Sequence, residues 1–108
     1  MDIVNRTWGK YEVLQLDYDC KVKKLTINPY KQISKQYHMH RSEHWLVTKG
    51  EATVYLDGVF YSLVKGESID IPQTSIHYIA NETDGPLTII ETQLGTYFGE
   101  DDIVRVND

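Results

Sequence analysis

No stretch of this 108-residue chain carries a sustained helical repeat; short runs rich in Val, Ile, Thr and Tyr, cut by turn residues, fill it instead. The runs fall at 11–16, 21–27, 34–40, 43–48, 52–56, 59–63, 67–71, 77–80 and 87–93, with room for one more strand in the tail 95–108. Asp57-Gly58 between two of them is a two-residue hairpin signal, because Asp and Gly tolerate the positive φ such a turn needs. Many short strands with turns at this spacing predict an all-β sandwich or closed barrel, and closure removes the exposed edges that invite further pairing.

The length suits one domain over 1–108, with its core at about 6–105 and loose ends at 1–5 and 106–108. A formal charge of −5 argues against a general nucleic-acid binder and against attraction to anionic membranes. An anionic ligand therefore needs a local basic patch, for which Lys31, Lys35, Arg41 and Arg105 are candidates, with Lys21, Lys23 and Lys24 upstream. The single cysteine, Cys20, excludes an internal disulfide and fits a reducing compartment. No apolar run approaches the roughly 18 residues of a membrane helix, and no signal peptide opens the chain, so the expected location is cytoplasmic. Eight Tyr and two Trp can serve a wet pocket or an interface, since each pairs an apolar body with a polar tip.

Chemistry concentrates in two histidine clusters. Three of the four histidines lie in Gln36-Tyr37-His38-Met39-His40-Arg41-Ser42-Glu43-His44, and the fourth ends Pro72-Gln73-Thr74-Ser75-Ile76-His77. In an extended strand Gln36, His38 and His40 share one face. Glu43 and His44 follow a bend expected at Arg41-Ser42, and alternation alone leaves open which of them points inward. His77 opens a strand after the turn begun by Pro72, where it can meet His38 and His40 across a barrel. Imidazoles with a carboxylate suit zinc, manganese, iron, nickel or cobalt. Gln36 is an additional ligand or a hydrogen-bonding support to one.

The spacing of these motifs resembles the cupin family. His38-Met39-His40 is followed by Glu43, six residues and Gly50; Gly66, five residues, Pro72-Gln73-Thr74, two residues, His77, three residues and Asn81 follow the second cupin motif. Thr74 stands where that motif has glycine, Gln32 stands where the first motif opens on glycine, and the gap before Glu43 is short. A closer resemblance links Gln36 through Trp45 to the Gln-x-His-His-His-Arg-x-Glu-His-Trp signature of type II mannose-6-phosphate isomerases, modules usually fused to a mannose-1-phosphate guanylyltransferase. Arg6-Thr7-Trp8-Gly9-Lys10-Tyr11 and Gly99-Glu100-Asp101-Asp102-Ile103-Val104-Arg105 echo the start and end of that module, with Met39 replacing the middle histidine and Thr7 a proline.

The resemblance implies a single-domain cupin, an RmlC-like jelly-roll barrel. It implies His38, His40, Glu43 and His77 as metal ligands, with Glu43 preferred to His44 because it keeps the family's step to Gly50. Arg41 matches an arginine tied to isomerase activity; Lys35, Arg41 and Arg105 become candidate phosphate contacts, and His44 the candidate base. The implied reaction is interconversion of mannose 6-phosphate and fructose 6-phosphate through an enediol; the alternative is a stand-alone metal-binding cupin that holds a sugar or other small molecule. A homodimer is expected, because small cupins are often dimeric.

Overall fold

The computed structural model describes residues 2–106; Met1, Asn107 and Asp108, which belong to the ends expected to be loose, lie outside them. Eleven strands and one 3-10 turn are described: β1 (Ile3–Arg6), β2 (Gly9–Leu16), β3 (Cys20–Ile27), β4 (Gln36–His38), β5 (Arg41–Lys49), β6 (Glu51–Leu56), β7 (Val59–Val64), β8 (Ser68–Ile71), β9 (His77–Ala80), β10 (Leu87–Gly95), the turn Glu100–Asp102 and β11 (Ile103–Arg105). They form a six-stranded sheet in the order β1-β2-β3-β10-β5-β8 and a five-stranded sheet in the order β11-β4-β9-β6-β7. Every strand pairing is antiparallel. This is the all-β, jelly-roll architecture that the sequence predicts.

Two strand predictions need correction. Residues 3–5, expected to be loose, belong to β1, which zips onto β2 with Ile3 opposite Glu12 and Arg6 opposite Gly9. The run 34–40 is strand only over Gln36–His38, and the bend falls at Met39-His40 rather than at Arg41-Ser42, which already belong to β5. The Asp57-Gly58 hairpin is as expected: both residues have positive φ, 46° and 90°, and Leu56 pairs with Val59 across it.

The inward faces of β5 and β10 explain where a site forms. Along β5 the buried residues alternate as Arg41, Glu43, Trp45 and Val47; along β10 they alternate as Leu87, Ile89, Glu91 and Gln93. The two strands run side by side with Ile89 opposite Val47, Glu91 opposite Trp45 and Gln93 opposite Glu43. One end of the inter-sheet space is therefore apolar, closed by Ile27, Val47, Val54, Ile79, Leu87 and Ile89, all fully buried. Burying each such side chain is worth roughly 1.5–3 kcal/mol, which fixes the register of both strands. The other end is polar, because the same inward positions there carry charge.

No helix among the described residues is long and apolar enough to cross a membrane.

Candidate metal centre

His38, Glu43 and His77 converge at the polar end, all three buried, with one candidate ligand atom from each lying within 4.8 Å of the others. β4 supplies His38, β5 supplies Glu43, and β9 begins at His77. Gln36 sits opposite His77 in the β4–β9 pairing. His38 Nε2 is 3.2 Å from Glu43 Oε2, and His77 Nε2 is 3.6 Å from Glu43 Oε1, so the carboxylate faces an imidazole on each side. The two rings lie 5.1 Å apart between centroids.

His77 is oriented as a ligand needs to be. Its Nδ1 lies 2.8 Å from the Ser75 carbonyl oxygen, which only accepts, so Nδ1 carries the proton and Nε2 keeps its lone pair. That Nε2 is buried and has no hydrogen-bond partner among the described residues. A buried acceptor left without a donor costs about 1–3 kcal/mol, and a cation beside it removes that cost. Trp45 holds the other side of the ring edge-on, with centroids 5.4 Å apart. Burial lowers the pKa of His77, against the opposing pull of Glu43, and so favours the neutral ligand form.

Arg41 completes the group. Its Nε donates to Glu43 Oε2 at 3.0 Å, and its Nη2 lies 3.4 Å from His38 Nε2. Burial pushes the Glu43 carboxyl up, but the hydrogen bond and proximity of the His38 ring, then Arg41 and the His77 ring, outweigh it and hold the pKa at about 2. Glu43 is thus ionised at neutral pH although it is only 4% exposed. Two imidazoles, an ionised carboxylate and a bare nitrogen fit a divalent metal of the mixed nitrogen–oxygen kind. Gln36 is buried and donates through Nε2 to the Ser34 carbonyl and hydroxyl oxygens at 3.0 and 3.2 Å, which leaves its Oε1 as the acceptor end.

The structure brings some of the sequence-predicted residues to this point and not others. His38, Glu43, His77, Arg41 and Gln36 are together; His40 is not. β4 stops at His38, and the carboxylate of Asp102 accepts the backbone N–H groups of Met39 and His40 at 3.1 and 3.0 Å. That bend breaks the two-residue alternation on which the shared face of His38 and His40 depended. The His40 side chain is 60% exposed, with its ring 6.2 Å from that of Tyr97. His44 alternates with Glu43 and so points out of the barrel, where its Nδ1 lies 2.6 Å from Asp70 Oδ1 on β8. Lys35 stands over the Tyr55 ring, 4.6 Å from its centroid, and is not among the residues that line the cavity.

That cavity opens beside Glu43 and His77 and has a volume of about 300 Å³. Arg41 and Arg105 line it, as do Lys23, one of the upstream cations named for an anion patch, and Arg6, which the sequence did not single out for a site. Lys23 is only 4% exposed. Glu91 and Glu100 also line it. Glu91 accepts from Trp45 Nε1 at 2.9 Å and from Gln93 Nε2 at 2.6 Å, and burial, then the charge of Glu43, raise its pKa. The signal for Glu91 and Gln93 was the alternation that continues past Leu87 and Ile89 along one strand.

A model of the family described as mannose-6-phosphate isomerase C-terminal matches residues 2–108. The chain belongs to this family. Among its curated relatives, the alginate biosynthesis protein AlgA of Pseudomonas aeruginosa is 43% identical over 105 residues, which cover 97% of this chain and 22% of that protein. A mannose-1-phosphate guanylyltransferase of Escherichia coli K12 is 42% identical over the same shares of each chain. The chain thus spans about a fifth of the length of these relatives. Solved structures confirm the barrel: an RmlC-like cupin from Shewanella frigidimarina aligns with a TM-score of 0.80 at 23% identity, over 93% of this chain and 86% of that one. KdgF from a Halomonas species aligns with the same TM-score at 15% identity, over 94% and 90%.

Proposed function

We propose that this chain is a metal-dependent sugar-phosphate isomerase that interconverts mannose 6-phosphate and fructose 6-phosphate through an enediol. The observation that carries the reading is the buried Glu43 carboxyl between two imidazoles, set in the wall of a cavity that Arg6, Lys23, Arg41 and Arg105 also line. His38, Glu43 and His77 hold the metal, and Gln36 offers its carbonyl oxygen as a fourth donor; zinc, manganese, iron, nickel and cobalt all suit such a set. A divalent ion held by these residues would supply Lewis-acid polarisation of a carbonyl oxygen.

The remaining chemistry belongs to the chain. Arg41, fixed by Glu43 and 3% exposed, presents guanidinium charge beside the ligand group, where it steadies a developing oxyanion. Arg105 and Arg6 bind the phosphate, a task for which the planar fork of arginine is well shaped. Lys35 and His44, which lie outside the cavity lining, are given no role in this reading. The protein works in the cytoplasm as a homodimer; light scattering at several concentrations tests the dimer.

The test of function is turnover of mannose 6-phosphate by protein loaded with each of the five metals in turn. Arg41→Ala is expected to lower kcat by about 100-fold or more. No turnover with any metal contradicts the proposal, and a fully active Arg41→Ala removes that residue from its role.

A further inference from the structure

Moving a proton between adjacent carbons of an open-chain sugar needs a group that accepts it and then gives it back. Three carboxylates line the cavity: Glu43, Glu91 and Glu100. Glu43 is engaged on one oxygen by Arg41 and His38 and faces His77 with the other. Glu91 is buried, and each of its oxygens accepts a hydrogen bond, one from Trp45 and one from Gln93. Neither is free to approach a substrate carbon.

Glu100 is placed differently. It opens the short turn Glu100–Asp102, its side chain is 42% exposed, and it sits at the cavity wall. Its Oε1 accepts from the Tyr11 hydroxyl at 3.4 Å and lies 3.7 Å from Lys23 Nζ. Lys23 is itself held in place, with Nζ 4.2 Å from the centroid of the Tyr11 ring and its side chain 5% exposed. Lysine is almost never so buried without a partner; Lys23 lies opposite Glu91 in the β3–β10 pairing and makes its ion pair with Glu100. A buried ammonium and a phenol thus aim one exposed carboxylate into the cavity that also holds the ligand group.

We propose that Glu100 is the catalytic residue that carries the proton between C1 and C2, with Lys23 and Tyr11 as its positioning residues. The assignment rests on the isomerase reading. In the forward direction the Glu100 carboxylate takes the proton from C2 of open-chain mannose 6-phosphate. The C2–H electron pair becomes the C1=C2 double bond, and the carbonyl π pair moves onto O1. The proton on O2 passes to O1, the O2 pair re-forms a carbonyl at C2, and the double-bond pair takes the proton from Glu100 at C1. The carboxylate is regenerated, and no other reactant is consumed.

Glu100→Gln, which keeps shape and removes the base, tests this in the metal-loaded protein. General acid–base groups contribute roughly 100- to 10,000-fold, so kcat is expected to fall by that factor while KM stays within about threefold. Bound metal should match wild type, and a lower thermal midpoint reports the lost Lys23 pair, not the proton transfer. With mannose 6-phosphate deuterated at C2, the isotope effect on kcat should rise in the variant, because proton removal becomes the slow step; loss of mere structure does not produce that rise. Glu100→Asp should be intermediate, and Asp101→Asn, a neighbouring exposed carboxylate, should keep wild-type kcat. A Glu100→Gln variant within about threefold of an active wild type overturns the role of Glu100 alone. A wild type inert towards mannose 6-phosphate overturns the isomerase reading and this assignment with it.

Discussion

Replacing Glu43 by glutamine in metal-free protein isolates the electrostatics on which the site depends. Unit charges 3.0 Å apart, as Arg41 Nε and Glu43 Oε2 are, attract by about 5–6 kcal/mol at an effective dielectric constant near 20. Desolvating both offsets most of that gain, so the intact pair adds little, whereas removing one partner strands the other; breaking a buried pair costs about 3–5 kcal/mol. Arg41 is 3% exposed, so water replaces little of what it loses. Glu43→Gln is therefore expected to lose about 3–5 kcal/mol, a fall of roughly 15–30 °C in thermal midpoint for a domain of this size. Urea titration in the presence of a chelator measures it. Arg41→Met combined with Glu43→Gln should recover part of the loss, with a coupling of about 2–3 kcal/mol between the two changes. The penalty also depends on pH. The folded pKa of Glu43 is depressed to about 2, so its contribution is fully present above the ordinary carboxylate range and disappears as pH falls through that value, where wild type and variant should converge. A Glu43→Gln protein within about 1 kcal/mol of wild type at pH 7, or single effects that simply add, would refute the buried pair.

Two further outcomes follow from the turns that frame the site. Asn81 is 1% exposed, donates to the carbonyls of Ile27 and Gly85 and accepts from the N–H and hydroxyl of Thr83. Asn81→Ala should cost about 3–4 kcal/mol at roughly 1 kcal/mol per hydrogen bond, read as a lower urea midpoint; a loss below about 1 kcal/mol would show that the loop does not need this anchor. Thr74 has a φ of 67°, a left-handed conformation that a β-branched residue adopts at a cost. Thr74→Gly should raise stability by about 1 kcal/mol, less the extra freedom glycine gives the unfolded chain, and an unchanged or lower midpoint counts against strain there.

Much of this was legible in the sequence, for identifiable reasons. The strands β2, β3, β5, β6, β7, β9 and β10 announced themselves through β-branched and aromatic residues between turn signals. Thr74 was visible as a departure from a motif glycine, and its positive φ explains why glycine suits that position. The convergence of His38, Glu43 and His77 followed from motif spacing. His40 was misplaced because the bend that turns it outward is made by Asp102, more than sixty residues later, accepting two backbone N–H groups. His44 was a choice between two adjacent residues that only strand register decides: Glu43 pairs with Gln93 inside, while His44 meets Asp70 outside. Lys23 stood out only as an upstream cation of an anion patch, and Glu91 and Glu100 were missed because each reads locally as an ordinary charged residue; only the β3–β10–β5 pairing and the fold-back of the C-terminal segment bring all three to one cavity.

The claim beneath all of this is that three residues from three strands hold one divalent metal. Equilibrium dialysis against cobalt or zinc, followed by elemental analysis, tests it directly with wild type, His77→Ala and His40→Ala. One equivalent per chain is expected for wild type and for His40→Ala, and almost none for His77→Ala. Equal binding by wild type and His77→Ala, or loss of the metal in His40→Ala alone, would contradict it.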